Sequence, residues 1–288
     1  MKILIAILLA FSAHSILGQT ITGKIIDASN SNPLEFASIG AIGTPVGCVT
    51  DKEGKFDLDV SSLSKDAIIK VSMISYKSRS FSIQELVTSG EAITLVPSPT
   101  QLSEVVIRPA GRVFKVGVLT FDRKAVFGWG GTDPGKGREK GTKLDLGKKP
   151  VRLLSLHINV AVNSFDTCLF RMHIRKLEND FPAEELLTEN ILIPITARTG
   201  WDEIDLSKYN LVFKEKIALT LELLKNGKVI DDKSLGADGK RVIPRLYFNL
   251  NMKRRGGGLF VKDGVEGNWQ WAKRNPTFYI TVQELNSK

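Results

Sequence analysis

The clearest signal along the chain is a two-residue alternation of apolar and polar positions, in short runs between turn-forming residues. In the N-terminal third, such β-prone runs recur between turn signals every eight to twelve residues, a spacing typical of a β-sandwich. The run Lys55–Val60 places Phe56, Leu58 and Val60 on one face and charged residues on the other. Asp51–Gly54, just before it, predicts a tight hairpin turn.

From about Val113 onward the same alternation returns in Leu153–Val162, Cys168–Arg175, Ile217–Leu223 and Phe278–Val282. Strands with one apolar and one polar face favour antiparallel sheets stacked face to face, each with its polar side in water. The sequence therefore predicts an all-β chain whose second domain is a jelly-roll-like sandwich.

Two details of this second domain follow from the same pattern. Arg171, His173 and Arg175 lie opposite the apolar face of their run, so we expect them to be solvated. Pro182–Leu187 has proline early and two acids in its first turn, which predicts a short helical turn.

The first residues predict export. Lys2 precedes an unbroken apolar run, Ile3–Phe11, and small or polar residues lead to Gly18. This is the pattern of a secretory signal peptide, and the run is far shorter than the ~20 apolar residues that span a bilayer. We expect cleavage after Gly18 and no transmembrane segment in the mature chain. The expected location is the periplasm, the outer membrane surface or the medium.

Composition bounds the class of protein. The 288 residues are 42% hydrophobic and 25% charged, which are globular values and exclude a disordered chain. A net charge of +9 favours anionic partners. Pro97, Pro99 and Pro109 mark a linker over residues 97–112, between a domain at 19–96 and a second at 113–288.

The N-terminal runs resemble a known family, the carboxypeptidase-regulatory-like domain. The resemblance implies a seven-stranded, transthyretin-like sandwich, common on exported proteins of the Bacteroidota, and says little about activity. One departure is Ser75, where the family usually has glycine before the tyrosine. The resemblance therefore does not predict the conformation of that turn. The matching segments are Ile21–Asp27, Pro33–Ile39, Gly47–Asp51 with Gly54–Phe56, Val71–Tyr76 and Ile93–Leu95.

Leu102–Ile107 resembles the acidic-valine stretch that follows this domain in TonB-dependent outer-membrane transporters. There it can pair with an energy-coupling partner by strand addition. No run of barrel strands follows here. The alternatives are a linker strand without a partner and an accessory subunit of a TonB-dependent uptake system.

Catalytic motifs are absent from the sequence. A zinc enzyme needs a cluster of ligands, yet the mature chain has only His157 and His173, both expected on solvated faces of neighbouring strands. No G-x-S-x-G occurs. Cys48 and Cys168 lie in apolar runs and are interpreted as buried thiols, with an inter-domain disulfide left open. We therefore predict no enzyme activity, no cofactor and no metal.

A competing hypothesis is a carbohydrate-active hydrolase that uses paired carboxylates. Asp202, Glu203 and Asp205, beside Trp201, are its best candidates. The pattern of this segment is more typical of the start of a strand or turn than of a catalytic site.

Binding is the expected function, and two stretches are candidates for it. Gly-rich segments with aromatic and basic residues can stack on sugar rings and hold anionic groups. Packing or loop roles are the alternative, and the export signal argues against nucleic acid. Gly130–Lys136 has phosphate-loop spacing but lacks the following Ser/Thr and helix, so it predicts a flexible basic loop. The candidate ligand-binding residues are Trp129, Arg254, Arg255, Trp269 and Trp271.

Overall fold

The computed structural model describes residues 20–88, 92–98, 111–129, 134–230, 244–253 and 258–285. The predicted signal peptide, the Leu102–Ile107 strand and the candidates Arg254 and Arg255 lie outside these residues. Most of the predicted linker does too, so the domain boundaries stay a prediction. The all-β fold class is confirmed, with two β-sandwiches among the described residues.

The N-terminal sandwich (residues 20–98) contains seven described strands in two sheets, as expected. One sheet has the order β4-β1-β7 and the other β3-β2-β5-β6. Side chains from both sheets, including Ile25, Leu58 and Ile69, form one buried core between them. The elements are β1 Thr20–Asp27, β2 Ser38–Ala41, β3 Gly47–Val49, β4 Lys55–Asp59, β5 Ile68–Ser72, β6 Arg79–Ser82, α1 Ile83–Thr88 and β7 Ala92–Leu95.

The turn before β4 is stabilised by its aspartate and its glycine, as the sequence predicts, but it does not join the two strands of a hairpin. Asp51 Oδ1 accepts hydrogen bonds from the backbone N–H groups of Glu53 (3.0 Å) and Lys55 (2.8 Å), and Gly54 takes a φ of +75°. Strand β3 pairs with β2, whereas β4 pairs with β1. The turn therefore carries the chain from one sheet to the other.

The C-terminal sandwich (residues 111–285) has an eight-stranded and a seven-stranded sheet among its described residues. Every strand pair within it is antiparallel. A 3-10 turn spans Ser207–Tyr209. The strands are β8 Val113–Gly117, β9 Asp122–Gly128, β10 Glu139–Asp145, β11 Val151–Asn163, β12 Cys168–Glu178, β13 Phe181–Glu185, β14 Leu192–Ile195, β15 Gly200–Asp205, β16 Val212–Phe213, β17 Lys216–Asn226, β18 Leu246–Asn251, β19 Leu259–Lys262, β20 Trp269–Ala272, β21 Asn275–Pro276 and β22 Phe278–Glu284.

Four strand pairs of this sandwich are nested, first with last. Strand β8 pairs with β22, β10 with β19, β11 with β18, and β12 with β17. The first and third of these pairs lie in the eight-stranded sheet and the other two in the seven-stranded sheet. Such nesting is the pairing of a jelly roll, in agreement with the sequence prediction.

The core between these two sheets holds the apolar faces that the alternation predicts. Phe170, Phe248 and Phe278 have no exposed surface, and Phe248 makes ring contacts with both other rings. The segment 182–187 is not the predicted helical turn, because residues 181–185 form strand β13, paired with β12. No helix in the described part of the chain has the length and hydrophobicity needed to cross a membrane.

Candidate functional site

The outer face of the seven-stranded sheet, here called the polar face, carries charged residues in one row across five strands. Strand register places Arg171 opposite Glu222, Glu222 opposite Glu139, Glu139 opposite Lys262, and Lys262 opposite Trp269. Directly opposite side chains lie on the same face, with neighbouring strands about 4.8 Å apart. The row therefore runs from a buried arginine to a tryptophan on the edge strand β20.

A second row beside it is more apolar at the β20 end. His173 lies opposite Thr220, Thr220 opposite Gly141, Gly141 opposite Phe260, and Phe260 opposite Trp271. Strand β20 is extended, so Trp269 and Trp271 share this face, as their spacing predicts.

His173 lies between two carboxylates and is buried. Its Nδ1 is 2.6 Å from Glu185 Oε2 and its Nε2 is 3.2 Å from Glu222 Oε2. Burial and the Arg175 guanidinium oppose a charge on the ring, but Glu139 and Glu185 outweigh them and raise the pKa of His173. The geometry therefore favours an imidazolium that donates to both carboxylates.

Glu139 is the most enclosed acid of the polar face. Arg175 donates to both of its oxygens, at 3.2 and 3.1 Å, and Lys262 Nζ lies 2.7 Å away. Burial alone would raise the pKa of this carboxyl, but Arg175, His173 and Lys262 hold it well below its usual range. The acid is thus an ion-paired structural charge.

The N-terminal sandwich covers part of the polar face. Arg171 donates from Nη1 to Ser38 Oγ at 3.0 Å and from Nη2 to the Phe36 carbonyl. Lys70 Nζ lies 3.2 Å from Glu266. The two sandwiches enclose a cavity of about 410 Å³ over the charged row, here called the interdomain cavity. The prediction that Arg171, His173 and Arg175 are solvated is therefore wrong for at least the first two, which are 2% and 5% exposed.

Val265 fills a recess in the N-terminal sandwich that two glycines leave open. A Cβ added at Gly40 would lie 2.7 Å from Val265 Cβ, and one at Gly47 would lie 2.8 Å from a Val265 methyl carbon. Such distances are below ordinary van der Waals contact. Close approach of the two sandwiches therefore depends on both glycines.

Ser75 adds a further link between the sandwiches. Its φ of +73° is the left-handed conformation that favours glycine, so the backbone keeps the conformation expected of the family residue. Its Oγ donates to the Thr188 carbonyl of the C-terminal sandwich. The departure from the family pattern thus supplies an interdomain hydrogen bond.

Beyond the interdomain cavity, the polar face continues into an open groove of about 450 Å³, here called the aromatic groove. Trp271 is 51% exposed and Phe181 40%. The β12–β13 hairpin turns at Asn179 and Asp180, both at positive φ, and brings Asp180 to within 2.9 Å of Lys143 Nζ. The groove is lined by Lys143, Asp180, Phe181, Gly258, Phe260, Trp271 and Lys273.

The structure separates the predicted ligand-binding residues. Trp271 lines the aromatic groove and Trp269 the interdomain cavity. Trp129 does not belong to either, because it is 2% exposed. Its ring packs on Phe170 and Phe248, and its Nε1 donates to the Arg138 carbonyl at 3.1 Å. The assignment of Trp129 as a binding residue is wrong, since the ring closes the core.

The two histidines are neither solvated nor on neighbouring strands. His157 lies on β11 of the opposite sheet, stacked on Tyr279 with ring centroids 4.2 Å apart. Its Nε2 is 2.8 Å from Ser155 Oγ and 3.1 Å from Thr281 Oγ1. Burial lowers its pKa, against the attraction of Glu203. Within the described ranges, no group of three or more acidic, histidine or cysteine residues is arranged to hold a metal.

Both cysteines are buried and free, in agreement with their apolar runs and not with an inter-domain disulfide. Burial raises the pKa of each thiol to about 12. Neither is placed for nucleophilic chemistry near neutral pH.

The alternative catalytic carboxylates have structural contacts. Their segment is strand β15, paired with β11. Asp202 Oδ2 accepts the backbone N–H groups of Thr196 and Ala197, and Asp205 Oδ1 accepts that of Ser207. These bonds shape the ends of the strand.

The polar cluster itself was not found from the sequence, which shows only alternating charges on single strands. The pairing of Arg171 with Glu222, or of Glu139 with Lys262, depends on register between strands distant in the chain. One usable signal was Asn179–Asp180 between two β-prone runs, a combination that favours a two-residue hairpin turn and so places Phe181 beside the groove.

Comparisons with solved structures show only remote likeness. The cysteine protease and lectin-like domains of Cwp84, a surface layer associated protein of Clostridium difficile, match 87% of this chain at 8% identity and a TM-score of 0.36. This chain spans 59% of the length of that one. The clostridial protease after propeptide cleavage gives 8% identity, coverages of 91% of this chain and 70% of that one, and a TM-score of 0.38.

The infectious bursal disease virus Gx strain structure gives 9% identity, coverages of 93% and 60%, and a TM-score of 0.25. No curated protein matches the chain at a significant level. A family comparison is more specific, and it covers the N-terminal sandwich with its seven strands. Residues 21–107 match the CarboxypepD_reg-like domain family, so the N-terminal part of this chain carries that domain.

Proposed function

We propose that the chain is an exported, non-enzymatic binding or assembly module of a bacterial cell envelope, of the kind found in Bacteroidota. It holds a glycan or an anionic polymer in the aromatic groove. The observation that carries the proposal is the exposed ring of Trp271 beside Phe181, Lys143 and Lys273. Ligand pockets are typically lined by aromatic and apolar side chains together with a few polar groups.

The chemistry of the groove suits a sugar polymer. Flat aromatic faces stack on the apolar faces of sugar rings, and lysine ammonium groups attract carboxylate or sulfate substituents. Lys143 is paired with Asp180. Lys273 has no ion-pair partner among the described residues and is the more available cation.

A role in binding also agrees with the state of the carboxylates of the polar face. Glu139 and Glu222 are buried, and their cationic neighbours lower the pKa of each against the effect of burial. Buried carboxylates that stay ionised beside cationic partners are suited to holding the sandwiches together.

The test is a glycan and polyanion array, probed with residues 19–288 at low and high salt. Binding that survives high salt and is lost in Trp271→Ala supports a stacking site in the groove. Trp201→Ala is the matched control, because Trp201 is 39% exposed on a strand of the opposite sheet. If high salt abolishes binding by the wild type and by both variants, net charge alone explains the interaction. If Trp271→Ala and Trp201→Ala lose binding equally, the aromatic groove is not the binding site.

A further inference from the structure

The aromatic groove has one lysine on each side of a glycine. Strand register aligns three residues across β10, β19 and β20, namely Thr142, Leu259 and Ala272. One step further along the groove come Lys143, Gly258 and Lys273, and all three line it. Neighbouring strands are about 4.8 Å apart, so two strand spacings, roughly 10 Å, separate the backbones of the two lysines.

The indole of Trp271 packs against the glycine between these lysines. A Cβ added at Gly258 would overlap Trp271 Nε1, so the close contact depends on the missing side chain. The indole is nevertheless 51% exposed and is free to stack on a sugar ring. Substituents of a sugar stacked there lie within reach of Lys143 on one side and Lys273 on the other.

Asp180, at the tip of the β12–β13 hairpin, makes the two sides of the groove different. Its Oδ1 lies 2.9 Å from Lys143 Nζ, and the hydrogen bond and charge of Lys143 lower the pKa of Asp180. The side chain is ionised at neutral pH and 78% exposed. The Lys273 side is therefore cationic, whereas the Lys143 side presents an ion pair whose exposed carboxylate accepts hydroxyl groups and repels anions.

We infer that the aromatic groove selects a polysaccharide in which acidic and neutral sugars alternate, with the carboxylate of the acidic sugar at Lys273 and the hydroxyl groups of its neutral neighbour at Asp180. The inference rests on the binding role proposed for the groove and names its substrate class. A neutral polymer leaves Lys273 without an anion. A polymer with an anion on every sugar brings a second negative charge towards Asp180. Specificity thus comes from one attractive and one repulsive group.

The experiment is isothermal titration calorimetry on residues 19–288 at about 150 mM salt, with four hexasaccharides. Hyaluronan alternates glucuronate with N-acetylglucosamine, and hexagalacturonate has a carboxylate on every sugar. A heparin hexasaccharide is densely sulfated, and N-acetylchitohexaose is neutral. We expect hyaluronan to bind about tenfold more tightly than each of the other three, as one additional charged hydrogen bond predicts.

Three variants test the roles of the charged groups. Lys273→Met should weaken hyaluronan binding about tenfold, to the level of N-acetylchitohexaose, whereas Lys273→Arg should keep it. Lys208→Met is the matched control, because it removes the same charge from the exposed 3-10 turn after β15. Asp180→Asn tolerates the φ of +64° at this position and should raise the affinity for hexagalacturonate about fivefold by removing the repulsion.

The results that would overturn the inference differ from those that would overturn the proposed function. If hexagalacturonate, heparin or N-acetylchitohexaose binds as tightly as hyaluronan, the alternating class is wrong but a glycan still occupies the groove. If Lys273→Met weakens hyaluronan binding no more than Lys208→Met does, Lys273 does not select the ligand. Hyaluronan binding that survives Trp271→Ala, or no binding of any hexasaccharide up to about 10 mM, would overturn the inference and the glycan site together.

Discussion

Replacing Arg171 by methionine tests whether the buried charges hold the two sandwiches together. The side chain is 3% exposed and lies 3.4 Å from Glu222. It donates to Ser38 Oγ and the Phe36 carbonyl of the N-terminal sandwich. Methionine keeps much of the length and removes the charge. Glu222 is then left buried with one fewer cation.

Removing one partner of a buried ion pair costs about 3–5 kcal/mol, because the other charge loses its compensation. At about 2–4 °C per kcal/mol for a domain of this size, Arg171→Met is expected to lower the Tm of the C-terminal sandwich by roughly 6–20 °C. Differential scanning calorimetry measures the shift. It also shows whether the N-terminal sandwich now unfolds in a separate transition, as loss of the interdomain hydrogen bonds predicts.

The double variant Arg171→Met with Glu222→Leu removes both charges and is expected to recover most of the loss, since apolar replacement of a buried pair is often neutral. Lys176→Met, an exposed position on the same strand, is the control and should stay within about 0.5 kcal/mol of the wild type. A loss below about 1 kcal/mol for Arg171→Met would refute the reasoning, because the pair would then behave as a solvated one.

Three further predictions follow from other contacts. The pKa of His173 is raised in the folded state, so its contribution to the free energy of unfolding is complete below the unfolded pKa of about 6.5 and is lost as the pH rises through the folded pKa. In urea titrations from pH 6 to 9, His173→Gln should remove this fall in stability. An unchanged pH profile would contradict the prediction. Trp129→Ala should cost about 3–5 kcal/mol as a core deletion and leave glycan affinity of the folded protein unaltered; a selective loss of affinity would return Trp129 to the binding residues. Gly40→Ala should loosen the sandwiches by about 1–3 kcal/mol through collision with the Cβ of Val265, visible as faster proteolysis near residues 97–112. Val265→Gly, which removes that Cβ, should relieve the effect; absence of relief would show that the recess is not closed by this valine.

Local sequence patterns predicted the buried face of a strand correctly where that face packs into the core of its own sandwich. The alternation around Phe56 and around Phe170 gave the correct buried faces, because a two-residue period leaves no other choice. The same rule failed for the opposite face of β12. Alternation says that Arg171 and His173 point away from the core of their own sandwich, but it does not say that a second sandwich covers them.

The candidate site was predicted in part for a similar reason. Trp271 and Trp269 were identified from composition and spacing, and both lie on one face. Trp129 has the same neighbours in sequence, glycines and basic residues, yet its ring is enclosed by Phe170 and Phe248. Whether an aromatic ring on a glycine-rich segment closes a core or meets a ligand depends on tertiary contacts that no local pattern carries.

The first-with-last strand order of the C-terminal sandwich has a consequence for biogenesis. Strand β22 lies inside its sheet, between β11 and β8, so the sheet is incomplete until residues 278–284 have left the ribosome. Contacts this distant in sequence form slowly. The N-terminal sandwich, whose strands all precede residue 96, has no such delay. If a chain of this kind crosses a membrane unfolded and N-terminus first, its N-terminal sandwich can fold before the C-terminal strands have emerged. The folded N-terminal sandwich is then a surface on which the C-terminal sandwich assembles.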